Sequence, residues 1–135
     1  MNFFNRKNKK KPQHNYAQIL HSTLAQSESH SSWAALVTVD GLMLAISGIS
    51  EDRQQDIVSA MTAGIYSMGT RSAKEYQTGQ LQYNLIAAEN AHIITIPLDD
   101  EHILTIAFGK VKSLDNILTV TREIADNIRE QLGTS

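Results

Sequence analysis

Cysteine is absent from these 135 residues. That excludes disulfide frameworks, thiol nucleophiles and thiolate zinc sites, and it fits a reducing, cytoplasmic setting. Long apolar runs are also missing. The longest, residues 33–37 and 42–46, are five residues each, against the ~20 needed to span a bilayer. Charged residues are few, 19% against 41% hydrophobic, and a chain of this length forms one domain that buries roughly two-thirds of its unfolded surface.

The net charge of −2 conceals an asymmetry. Residues 1–11 carry Arg6, Lys7, Lys9, Lys10 and Lys11 and no acid, a charge of +5, so the remainder carries −7. The body is therefore mildly acidic and unsuited to embracing a nucleic-acid backbone. The basic start is not a signal peptide, because Pro12, Gln13, His14 and Asn15 stand where an apolar stretch should follow. Residues 1–13 read as a basic tail and residues 14–135 as a single domain. Phe3, Phe4, Lys9, Lys10 and Lys11 could touch an anionic membrane surface, at about 1 kcal/mol per basic residue. The plainer reading is a solubilising tail, and a third has it contact the acidic body or a partner.

Along the domain, Tyr16, Ile19, Leu20 and Leu24 recur at helical spacing. Residues 33–39 and 42–47 form two strands joined by Asp40-Gly41, a dipeptide suited to a type I′ hairpin turn. In that register Val37 faces Leu44 and Ala35 faces Ile46. Both faces of the hairpin are apolar, which requires helices on both sides. A long helix follows, with Ser50 as N-cap and Ile57, Val58, Met61, Ile65 and Met68 as its core stripe. Beside them runs a stripe of small residues, Ala60, Ala63, Gly64 and Ser67. Mid-helix Gly64 costs about 1 kcal/mol against alanine, which suggests a close contact. A half-exposed edge strand is expected over residues 80–88, then a hairpin from His92 to Phe108 turning at residues 98–101. A final helix is capped by Ser113, buries Leu114, Ile117, Leu118, Ile124, Ile128 and Leu132, and stops at Gly133.

Catalytic constellations come out poorly. The turn between His92 and His102 puts them at opposite ends of a hairpin, where they cannot share a metal or a proton. His14 and His21 lack the carboxylate or cysteine support of a metal site. The run from Gly64 to Arg71 has the glycine spacing of a phosphate loop, but Thr70 and Arg71 replace its Lys and Ser/Thr and it lies inside a helix. No catalytic, cofactor-binding or metal residue is assigned. An arginine finger from Arg53 or Arg71 needs no local motif; ordinary solvated arginine is the alternative for each.

Residues Val37-Thr38-Val39-Asp40-Gly41-Leu42-Met43-Leu44-Ala45 resemble the hairpin signature of the roadblock (dynein light-chain) family. So do the small-residue helix from Ala60 to Gly69, the strand after Gly79, the meander ending Thr105-Ile106-Ala107-Phe108 and the amphipathic last helix. The resemblance covers about residues 15–132 and is nearest the prokaryotic members, which accompany small Ras-like GTPases. It implies an α+β fold in the order α-β-β-α-β-β-β-α: a five-stranded antiparallel sheet with one helix on one face and two on the other, related to profilin. It also implies dimers that pair their third strands edge to edge and pack their middle helices together, presenting that helix pair to a GTPase.

On this sequence the interface expectation falls on Ala60, Ala63, Gly64, Ser67, Gln80, Gln82 and Asn84. The small stripe and the polar edge support it independently; packing of the stripe on the chain's own sheet is the alternative. Arg53, Tyr66 and Arg71 are the expected partner-facing residues. The expected function is a homodimeric, non-enzymatic regulator or adaptor that binds a Ras-like GTPase and biases its switch loops. Stimulated hydrolysis follows if the ordered state positions the GTPase's own water and arginine. The alternative is a structural scaffold of a polarity, motility or signalling complex. A small-ligand sensor is disfavoured, because no polar cluster that would form a pocket is visible in the sequence.

Overall fold

Among the described residues eight elements form, in the expected order. The computed structural model describes residues 14–27, 31–110 and 113–133, so the membrane contact expected of Phe3, Phe4, Lys9, Lys10 and Lys11 lies outside the described residues. Helix α1 spans Tyr16–Gln26, β1 Ser31–Thr38, β2 Met43–Ser47 and α2 Asp52–Glu75. Strands β3 (Asn84–Ala87), β4 (His92–Pro97) and β5 (His102–Phe108) follow, then α3, Leu114–Leu132. The strands make one antiparallel sheet in the order β2-β1-β5-β4-β3, which leaves β2 and β3 at its edges.

Successive residues of a strand face opposite ways, and the two faces meet different helices. Ala34, Leu36, Ile94, Leu104 and Ile106 pack with Leu20 of α1 and with Ile117, Ile124 and Ile128 of α3 in the main core. Each fully buried leucine or isoleucine among them contributes about 1.5–3 kcal/mol. On the opposite face Ala35, Val37 and Val58 form a smaller buried cluster, with Trp33, Met43 and Ile46 partly covered. Thr95, Ile103 and Thr105, which alternate with the main-core residues, are buried there as well. Two helices thus cover one face thickly, and α2 alone covers the other thinly. Local signals set the ends: Asn15 and Ser113 accept the N3 amides of Gln18 and Asn116, and Gly133 ends α3 at φ +78°. Leu114, expected in the core, is exposed in the first turn of α3.

The β1–β2 hairpin departs from the type I′ expectation. Only Gly41 has positive φ, +93°, whereas type I′ needs it at both central residues. The Thr38 carbonyl accepts from Gly41 N, and Thr38 N donates to the Leu42 carbonyl, closing a three-residue loop over residues 39–41. Val37 therefore faces Met43, and a bulge at Leu44 restores the pairs Leu36–Ala45 and Ala35–Ile46. The β4–β5 hairpin likewise shifts by one residue from the pairing of 97 with 102 and 92 with 107 that a turn over 98–101 implies: His92 faces Phe108 and Pro97 faces Ile103, with Leu98 N donating to the His102 carbonyl. His92 and His102 still sit at opposite ends. Helix α2 takes Glu51, not Ser50, as N-cap. Gln55 ties down the preceding turn instead, its backbone bonding Glu51 and its amide Nε2 donating to Ile49 O.

The edge strand is shorter than expected, and its end has a cause. Leu98 bonds toward β5, so by alternation Pro97 turns its backbone toward β3. Proline has no N–H to donate. Its carbonyl accepts instead from Arg129 Nη2 at 2.8 Å, while Arg129 Nε donates to Leu98 O at 2.8 Å. A guanidinium from α3 occupies the place of further ladder, and β3 begins only at Asn84.

Candidate functional site: the outer face of α2 and the β3 edge

Helix α2 has two faces, and the larger apolar side chains lie on the unexpected one. Val58, Ser59 and Thr62 are buried against the sheet, at 8%, 7% and 3% exposed. Ile57, Met61 and Met68, expected in the core, stand 45%, 60% and 68% exposed. At about 100° per residue, Ile57, Ala60, Met61, Gly64, Ser67 and Met68 share an arc roughly 120° wide, opposite the sheet. The side chains that do face the sheet, Val58, Ser59 and Thr62 with Gly69, are small because α2 lies close to it. A Cβ on Gly69 would come within 2.5 Å of Asn84 Nδ2, and that amide donates to Ile65 O at 3.3 Å.

The stripe of small residues therefore divides. Ala63 is half-buried, 3.7 Å from where a Cβ on Gly41 would lie. Ala60, Gly64 and Ser67 are exposed, and a Cβ on Gly64 would meet nothing within 4 Å. No contact among the described residues requires glycine there. Arg53 and Arg71 are exposed and, five helical turns apart, fall on the same azimuth at either end of the arc. Tyr66 is half-buried and points about 140° away, so the three expected partner-facing residues do not share a surface.

Among the described residues, strand β3 pairs only with β4. Ala88 N donates to Ala91 O, so residues 84, 86 and 88 bond inward, and Leu85 and Ala87 turn their N–H and C=O groups to the open edge. Gln80 and Gln82, expected on this strand, precede it and are exposed. Asn84 lies on it, but its side chain is turned onto α2, so its side chain adds nothing to the open edge. The other edge strand, β2, is kinked by the bulge at Leu44, a device that blunts edges. β3 has neither bulge nor charge.

Two polar groupings escaped the sequence reading. Asp99 Oδ1 accepts from the amides of Glu101 and His102 at 2.8 Å, and both its oxygens lie 2.9 Å from His102 Nδ1. His102 Nε2 in turn meets Tyr16 Oη at 3.3 Å, tying α1 to the β4–β5 turn. Burial pushes the Asp99 carboxyl up, but the Glu101 and His102 amides and the His102 ring outweigh it and hold the carboxyl below its ordinary value. The second is a half-open cleft of about 600 Å³ between the end of α2, residues 77–82 and the β4–β5 turn, lined by Tyr66, Thr70, Lys74, Gln80, Asp99 and Asp100 among others. No polar cluster was visible in sequence because these residues meet only when the sheet forms. Among the described residues, no three His, Asp or Glu side chains could jointly hold a metal ion, and no described helix is long and apolar enough to cross a membrane.

A five-stranded antiparallel sheet, with one helix on one face and the two terminal helices on the other, defines the profilin-like class of α+β folds. The Roadblock/LC7 domain model matches residues 17–108, and the chain belongs to that family. Among solved structures, a Roadblock/LC7 domain from Streptomyces avermitilis is similar at TM-score 0.74, with 18% identity over 91% of this chain and 100% of that one. Myxococcus xanthus MglB is similar at 0.76, with 12% identity over 89% and 98%. Profilin II of Acanthamoeba castellanii shares the fold more distantly, at 0.55 with 17% identity over 86% and 98%. Comparison with curated proteins returns no match.

Proposed function

We propose that this protein is a non-enzymatic regulatory module. Two copies join through α2 and the β3 edge, and the composite surface binds a Ras-like small GTPase. The observation that carries the proposal is the outward stripe of Ile57, Met61 and Met68 beside an unblunted β3 edge. Exposed contiguous apolar surface of this kind marks an interface. The spacing of Ile57, Met61, Gly64 and Met68 is that of a coiled-coil seam, with Gly64 at the middle of α2. An antiparallel pair centred on Gly64 sets Met61 against the partner's Ser67, Met68 against the partner's Ala60 and Arg53 against the partner's Glu75. Large side chains then meet small ones, and opposite charges meet at the ends, as an isologous two-fold contact requires. Backbone groups of Leu85 and Ala87 would bond the same strand of the second copy.

Family membership and the MglB likeness support a regulator associated with a GTPase, in line with the prokaryotic resemblance. Binding that favours the GTP-bound, ordered switch conformation shifts its population without new chemistry. Hydrolysis accelerates when that conformation positions the GTPase's own water and arginine. The test has two stages. Light scattering at tens of micromolar should give a dimer, and a strict monomer removes the composite surface. Hydrolysis by a cognate Ras-like GTPase is then measured with and without the dimer. Binding without any rate change leaves a structural scaffold, and the absence of binding refutes the GTPase reading.

A further inference from the structure

Helix α2 is the least secured of the three helices, for several separate reasons. The face it buries is short and polar: Val58, Ser59 and Thr62, set on a side of the sheet that carries Ala35, Val37, Thr95 and Thr105. The other side is closed by Leu20, Leu36, Leu104, Ile106, Ile124 and Ile128, each no more than 1% exposed. The hydroxyls under α2 do not depend on its docking. Thr95 and Thr105 bond each other at 3.2 Å, and Ser59 Oγ donates to Asp56 O within the helix. Lifting α2 breaks neither bond and uncovers little apolar surface. Asn84 Nδ2 ties the helix to the sheet through a neutral bond of 3.3 Å to Ile65 O, whereas the Arg129 guanidinium fastens α3 to Pro97 and Leu98 at 2.8 Å. Two interior glycines, Gly64 and Gly69, weaken α2 as a helix, and α1 and α3 have none. Its N-cap, Glu51, makes no side-chain cap bond. Gln77, just past its C-terminus, stands at φ +54°, where glycine is the usual residue.

We infer that α2 opens from the sheet as one cooperative unit while α1, the sheet and α3 stay closed, and that a second copy of this chain holds it shut. The closing step rests on the proposed dimer; the opening concerns a single copy. Ile57, Met61 and Met68 are spent on solvent in that copy, so they do not hold α2 down. A partner that engages the α2 seam and the β3 edge together requires α2 in its docked place, and the open form offers it the edge alone. That difference in binding shifts the equilibrium toward the closed form. A copy with α2 open lacks the composite surface, so association of the two copies is itself the switch that assembles the partner-binding face.

Hydrogen exchange under native conditions, read by mass spectrometry in peptides of α2, β5 and α3 of the full chain, tests both steps. Met61→Glu with Met68→Glu supplies a single copy, and dilution of the parent supplies one without substitution. In the single copy, α2 amides should exchange together and at least about thirtyfold faster than those of β5 and α3. Raising the parent from about 1 µM to about 100 µM should then slow α2 about tenfold or more, by mass action. Exchange of α2 in step with β5 and α3 in the single copy overturns the inference. So does an α2 rate that stays constant over that range while light scattering reports a dimer. A parent that scatters as a strict monomer refutes the dimer itself, and the closing step with it, a failure recognised without any exchange measurement.

Discussion

Arg129→Met separates what a guanidinium does at the end of β3 from what its stem does. The variant keeps most of the apolar stem and removes the two bonds to Pro97 O and Leu98 O, each 2.8 Å. Hydrogen bonds from a charged donor contribute about 1.5–3 kcal/mol net. Arg129 is 30% exposed, so water compensates part of the loss and the lower end of that range applies to each bond. The Asp126 pair adds little, because that carboxylate is 76% exposed. The expected loss is about 3 kcal/mol. With an unfolding entropy near 2.1 cal/mol/K per residue, a chain of this length loses about 10 °C in Tm. Thermal unfolding is followed by circular dichroism at equal protomer concentration, because self-association shifts Tm by mass action. Arg129→Lys should recover less than half of the loss, one ammonium being unable to hold two carbonyls in the same geometry. Asp126→Asn should move Tm by less than about 2 °C. An Arg129→Met protein that melts with the parent would refute the assignment of Arg129 as the group that satisfies the end of the sheet.

Two glycines should respond oppositely to the same methyl. Gly64→Ala meets open space and gains helix propensity, so the monomer should be stabilised by about 0.5–1 kcal/mol in urea unfolding, while self-association weakens in sedimentation. Gly48→Ala places its Cβ 2.5 Å from Ser32 O at φ +92° and should cost at least about 2 kcal/mol by the same measurement. Met61→Glu with Met68→Glu should yield a folded monomer by light scattering, since both side chains are exposed in the single chain; an unfolded product or an unchanged dimer contradicts the placement. The lowered Asp99 pKa sets a pH dependence. Its contribution is present above the ordinary carboxylate value of about 3.9 and is lost as pH falls through the lower folded value. The stability gap between the parent and Asp99→Asn should accordingly close with acidification below about pH 4.

Element order was legible because the patterns that define it are local. Apolar spacing in α1, double-faced apolar strands around Asp40-Gly41, and the caps Ser113 and Gly133 all act within a few residues. Register was less so. Asp40-Gly41 permits two loop lengths, and the choice between them rests on the Thr38–Leu42 bonds and the bulge at Leu44, which form only in the sheet. The end of β3 was hidden for a similar reason. It depends on Pro97, fifteen residues beyond Gln82, and on Arg129 from the last helix.

The misreading of α2 concerns function more directly. Size suggested that Ile57, Met61 and Met68 form the core, yet the sheet beneath α2 takes Val58, Ser59 and Thr62. Two apolar periodicities coexist on this helix. One runs through Val58, Thr62, Ile65 and Gly69, the other through Ile57, Met61, Gly64 and Met68. A helix that packed only on its own sheet would need the first alone. The second carries the larger side chains to solvent, together with a glycine that no contact among the described residues requires. Exposed methionines add nothing to the stability of the single chain, and an apolar patch invites non-specific association. In the proposed dimer that spacing has a reason: a second helix would give Met61 and Met68 the burial that the thin α2 face of the sheet does not give them.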